Sequence, residues 1–187
     1  MATLWIILIA VVLFILWLIG IYNTLIKLRN TRQNAFADID VQLKQRHDLI
    51  PQLVETVKGY ANYEKDLLLK VTQARTAAMG AVTIDEKIKS ENQLTSALQN
   101  LKISVEAYPD LKANQNFLQL QEELSDIENK LAAVRRYFNA ATTEFNNGIE
   151  TFPSNLIANT FGFTRETLFD LGQERANLQE PPKISFS

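Results

Sequence analysis

The only histidine of this 187-residue chain, His47, stands in QRHDLIPQL, residues 45–53, between Arg46 and Asp48 and four residues before Pro51. A histidine among charged neighbours is the first place to look for acid–base or metal chemistry. One histidine cannot build a His-based metal site, and no H-x-x-x-H, E-x-x-H or His–Cys spacing accompanies it. A Ser-His-Asp arrangement would have to use His47, yet no G-x-S-x-G elbow exposes a serine. Walker A, G-x-G-x-x-G and kinase signatures are also missing. Glu122, Asp126 and Glu128 put carboxylates on one helix, but the i,i+4 spacing of Glu122 and Asp126 reads as a solvated acidic face. The expectation is a non-enzymatic protein with no catalytic, cofactor-binding or metal-ligating residue.

Composition narrows the field further. With 47% apolar residues the chain can bury one good core but hardly two. A net charge of −2 and a pI near 5.5 argue against a nucleic-acid partner, which normally meets a basic face. The absence of cysteine removes disulfides, thiol catalysis and every Cys-based metal site. Scarce Gly and Pro, with abundant Leu, Ala, Asn, Gln and Glu, make helix the expected state nearly everywhere.

The elements that must carry these residues begin with an apolar run, LWIILIAVVLFILWLIGIY, from Leu4 to Tyr22. As a helix its length is about 28 Å, close to the roughly 30 Å hydrocarbon core of a bilayer. Trp5, Trp17 and Tyr22 lie toward its ends, where amphipathic rings favour the interface. No basic n-region or A-x-A-like site marks it as a cleaved signal peptide. It reads as a transmembrane anchor within residues 1–26. Lys27, Arg29 and Arg32 follow it, so the positive-inside rule places the short N-terminus outside and the rest in the cytoplasm. Their expected role is to fix topology and meet anionic headgroups.

Residues 27–152 read as an elongated antiparallel four-helix bundle, with helices over about 27–60, 63–79, 84–107 and 112–152. Phe36, Ile39, Leu43, Arg46, Ile50, Leu53, Val57 and Tyr60 follow the three–four spacing of a packed seam. The second helix puts Leu67, Val71, Ala74 and Ala78 on one face before Gly80. Thr83 to Glu86 form a capping box that opens the third, whose face is Leu94, Leu98, Leu101, Val105 and Tyr108. Pro109 ends it. The fourth helix carries Phe117, Leu120, Leu124, Ile127, Leu131, Val134, Phe138, Ala141 and Phe145, with Gly148 and Phe152 as the next seam positions. Residues 153–187 form an aromatic-rich segment with an extended tail, and Phe161 and Phe163 could fold back on the bundle, lie at the membrane surface or dock on a neighbour.

Polar residues interrupt this pattern. Arg46 fills a seam position between Leu43 and Ile50, and Glu128, Arg135, Asn139 and Asn146 flank the fourth seam. Either the arginines snorkel to solvent along their methylene stems, or Arg46 or Arg135 pairs with Glu128 in a buried network that sets register and partner choice. Asn34 and Asp38 suit a plain i,i+4 surface hydrogen bond. Pro51 withdraws a donor from the carbonyl of His47 and costs about 3 kcal/mol in a helix interior, so a bend is expected there. His47 itself reads as a bystander.

NTLIKLRNTRQNAFADIDVQLKQRHDLIPQLVETVKGY resembles the opening of the LemA family of bacterial membrane proteins. YPDLKANQNFLQLQEELSDIENKLAAVRRYFNAATTEFNNGIETFPSNLIA resembles its second hallmark block, and PPKISF its ending. The resemblance implies a single-pass anchor, a small external N-terminus and a helical bundle facing the cytoplasm. The family includes a magnetosome-associated member, which suggests a role in organising membrane assemblies, and it provides no residue roles to carry over. The expected function is a membrane-anchored scaffold at the bacterial cell membrane that self-associates as a homo-oligomer or organises integral membrane partners. The alternative is an accessory or regulatory subunit of a membrane protease or transporter.

Overall fold

The computed structural model describes residues 1–59 and 65–169. The chain is all-α: among the described residues there are six helices and no strand. They are α1 (Ala2–Lys58), α2 (Lys65–Gly80), α3 (Ile84–Val105), α4 (Pro109–Lys112), α5 (Gln115–Glu150) and α6 (Ser154–Thr160). Tyr60 and the PPKISF tail lie outside the described residues.

Local chemistry sets these boundaries. Thr83 Oγ1 accepts from the Glu86 amide at 3.2 Å while Glu86 Oε2 accepts from the Thr83 amide at 3.0 Å, which is the reciprocal cap expected for α3. The long helix expected from residue 112 starts later. Pro109 nucleates its own turn, α4, and Asn114 Oδ1 then accepts from the Phe117 amide at 3.0 Å, capping a fresh helix. Its end also moves. Phe152 is no seam residue: α5 stops at Glu150, Phe152 is 77% exposed, and Ile149 is buried instead. Gly148 does face a helix, since a Cβ there would sit 2.8 Å from Leu28 Cδ1. Gly162, at φ 71°, closes α6 as the left-handed residue of a Schellman motif, with the Phe163 amide bonded to the Ala158 carbonyl at 2.9 Å.

Two compact units result. One holds Gln42–Lys130, in which four helices surround a core. Ile50, Leu53 and Val57 come from α1, Leu68, Val71 and Ala78 from α2, Leu94, Leu98, Leu101 and Val105 from α3, and Phe117 and Leu124 from α5. Leu67, Ala74 and Tyr108, expected on the buried faces, are only partly buried against it.

The other unit holds Met1–Val41 and Leu131–Leu168. Here only two long helices meet, so the four-helix description does not extend to it. Contacts run antiparallel: Leu25 clusters with Phe145 and Ile149, and Phe36 meets Phe138 edge-on with centroids 5.5 Å apart. Ala158 of α6 and Phe163 complete the cluster. The first stretch of α1 is different in kind. From Leu4 to Ile19 nearly every large apolar side chain is exposed, and α1 is long and apolar enough to cross a membrane. Water would not tolerate that surface; a bilayer would.

Candidate functional site

The polar side chains singled out in the QRHDLIPQL segment meet inside the four-helix unit. Arg46 on α1 donates from Nη1 to Glu91 Oε2 at 3.2 Å, and from Nη2 to Thr95 Oγ1 at 3.0 Å and Glu128 Oε1 at 3.3 Å. One guanidinium thus ties α1 to both α3 and α5, as its rigid fork of donors allows. Arg46 and Glu91 are each 1% exposed, whereas the Glu128 side chain is 50% exposed. The second Glu91 oxygen, Oε1, lies 2.6 Å from His47 Nε2. A carboxylate only accepts, so Nε2 carries the proton in this contact. His47 is buried, and the sequence reading of it as a bystander does not hold.

The helix runs on through Pro51, which is exposed on α1. With no N–H at Pro51, the His47 carbonyl lacks its helical donor. Arg75 of α2 supplies one, its Nε reaching His47 O at 2.7 Å. This is a charge-assisted bond, about twice as strong as a neutral one. Residues 46 and 47 therefore engage all three neighbouring helices, and the proline is what frees the carbonyl for α2. The formal charges of Arg46, Arg75, Glu91 and Glu128 cancel, which is the condition for holding ions in a core.

A second polar set belongs to the two-helix unit. Arg32, 4% exposed, donates from Nε to Thr142 Oγ1 at 3.2 Å, pairs through Nη2 with Glu166 Oε2 at 3.1 Å, and lies 5.0 Å from the centroid of Phe138. Arg29 stacks over Phe163 at 5.4 Å. The expectation that Arg32 serves headgroups is corrected, because it is an interior residue, while Lys27 and Arg29 are exposed. Asn146 holds residue 166 by its backbone, with Nδ2 to Glu166 O and the Glu166 amide to Oδ1, each at 2.9 Å. That two-way amide clasp fastens the aromatic segment against α5.

A sequence model of the LemA family matches residues 35–186. The chain belongs to the LemA family. It is 30% identical over 172 residues to Protein LemA of Metamycoplasma hominis, spanning 87% of this chain and 78% of that one. It is also 23% identical over 186 residues to Magnetosome protein MamQ 2 of Paramagnetospirillum magneticum, and 22% identical to Magnetosome protein MamQ of Magnetospirillum gryphiswaldense. Each alignment spans 86% of this chain and 68% of the relative.

The family match contains the whole Arg46 network and begins after Arg32 and the apolar run. Among the sequence candidates, the structure brings Arg46 and Glu128 together. Arg135 and Asn139 are half-buried on α5 in the other unit. Phe161 and Phe163 divide: Phe163 joins the Leu25 cluster, while Phe161 is 60% exposed beside Tyr22. Sequence reasoning missed Glu91, Thr95, Arg75 and Arg32. Two of these left a signal, because Glu91 stands three residues before Leu94 and Arg32 four before Phe36, each continuing its seam. Arg75 and Thr95 had none; their helix-surface positions gain meaning only from what packs opposite. Among the described residues no group of three or more acidic or histidine side chains is placed to hold a metal.

Proposed function

We propose that this LemA-family protein is a non-enzymatic scaffold: α1 holds it in the bacterial cell membrane, and its helical faces organise partners there, second copies of itself included. One observation carries this reading. Arg46, His47 and Glu91, the groups with chemical potential in the QRHDLIPQL region, are buried and bonded across helices, an arrangement suited to fixing helix register. Two of the relatives are named as magnetosome proteins, in keeping with a role in membrane organisation. Lys27 and Arg29 after the span favour a cytoplasmic bundle and an external N-terminus by the positive-inside rule.

The test is crosslinking in intact cells with identification of the products, alongside the mass of the detergent-solubilised protein. A ladder of self-adducts and a mass above the monomer are expected. A strictly monomeric protein crosslinked in fixed ratio to one membrane protease or transporter would replace the scaffold with an accessory subunit. Reporter fusions at the C-terminus check the orientation independently.

A further inference from the structure

The turn from α5 into α6 exposes more apolar surface than a watery site explains. Phe152, Leu156 and Phe161 are 77%, 58% and 60% exposed within ten residues. Their level along α1 is fixed by two contacts. The Phe161 ring lies 4.8 Å from that of Tyr22, the residue that closes the apolar run. Pro153 and Ser154 line one open groove, about 530 Å³, together with Trp17 and Gly20. Trp17 is five residues up the helix from Tyr22, or about 7.5 Å along its axis. The corner therefore reaches the last turn of the span, where Trp and Tyr mark the interface between headgroups and acyl chains.

We propose that this corner is a second membrane contact: Phe152, Leu156 and Phe161 insert into the interfacial layer of the same bilayer that α1 crosses. The occupant of the surface is lipid, because the patch is continuous with the exposed apolar face of the span at the same depth. The segment that carries it is tied to the end of α5 by polar contacts. Ser154 Oγ donates to the Gly148 carbonyl at 2.6 Å, and Arg165 pairs with Glu150 at 2.7 Å. Burying apolar side chains at the boundary while polar groups stay toward water is how interfacial segments bind. Two points of attachment also limit rotation of the unit about the anchor, which a single span allows. This inference rests on α1 being a membrane anchor, part of the proposed function.

The test uses the full chain in vesicles of phosphatidylcholine and phosphatidylglycerol. Because the chain has no cysteine, Leu8→Cys, Leu118→Cys and Leu156→Cys each carry one bimane label. Lipids brominated near the carbonyl end of the acyl chain quench shallow labels, and aqueous iodide quenches exposed ones. The expected result is at least threefold stronger bromolipid quenching at 156 than at 118, with iodide quenching at 156 reduced by a similar factor. Quenching at 8 but not at 156 would overturn the second contact and leave the anchor intact. A label at 156 shielded from both quenchers would overturn it in favour of a protein neighbour. Failure to quench at 8 would remove the anchor and this inference together.

Discussion

Arg46 and Arg32 stand at the same heptad position of α1, fourteen residues apart, and both are buried. Their surroundings differ. Arg46 lies among four helices, and its closest carboxylate, Glu91, is as buried as the arginine. Arg32 lies where two long helices meet, and its carboxylate, Glu166, comes from the segment after α6 and is 38% exposed. Thr142 and the Phe138 face also meet it. Both arginines are desolvated, but the carboxylate of Arg46 is desolvated with it, whereas that of Arg32 keeps part of its water. What differs between the two seam positions is the exposure of the carboxylate, 1% for Glu91 and 38% for Glu166.

The largest expected effect follows from that contrast. Glu91→Ala should destabilise by about 3–5 kcal/mol, because it takes the buried carboxylate from both Arg46 and His47 and leaves Arg46 the half-exposed Glu128 as counter-charge. Glu166→Ala should cost less, about 1–3 kcal/mol, since Glu166 is partly in water and Arg32 keeps its bond to Thr142. Thermal unfolding in detergent, followed by circular dichroism, compares them, and equal losses would break the distinction. Next comes Arg75→Ala, at about 1.5–3 kcal/mol for a charge-assisted bond to a carbonyl whose i+4 donor Pro51 removes. In a Pro51→Ala background the same change should cost under about 1 kcal/mol, since an alanine in place of the proline restores the backbone donor that His47 O lacks. A double-mutant cycle measures this coupling, and simple additivity would show that the proline does not create the Arg75 contact. Glu128→Gln should cost less than about 1 kcal/mol, because half of that side chain is in water.

The smallest effect lies at the start of α3. The backbone N–H of Thr83, then that of Val82, then the Thr83 hydroxyl hold the Glu86 carboxyl below the ordinary glutamate range. A depressed folded value means that the cap is stabilising above the unfolded value and loses this as pH falls through the folded one. The Thr83 amide proton shift should therefore titrate below the ordinary glutamate range, and Glu86→Gln should abolish that titration.

Much of this was legible from spacing alone. The α3 face, the α5 seam and the Thr83 cap need only residues three and four apart, and local geometry decides them. Arg46 with Glu128 was legible as a possibility, because both sat on or beside apolar lines. What stayed hidden were partners far apart in the chain. Arg75 is an ordinary exposed-pattern arginine until α2 is laid against Pro51, and Asn146 an ordinary polar residue until the chain returns with Glu166. Phe152 failed for the opposite reason: the seam arithmetic continued, but Pro153 ended the helix first.

The sequence by itself determined an all-helical chain with an apolar run long enough to cross a membrane, because periodicity, caps and composition act over a few residues and need no partner. The likeness to the LemA family was carried by whole blocks of residues. Only the tertiary structure decided which carboxylate neutralises which arginine, which donor serves the carbonyl freed by Pro51, and which aromatics of the C-terminal segment turn inward. Those outcomes depend on distances between helices, and desolvation makes each of them count only once the helices have closed around it.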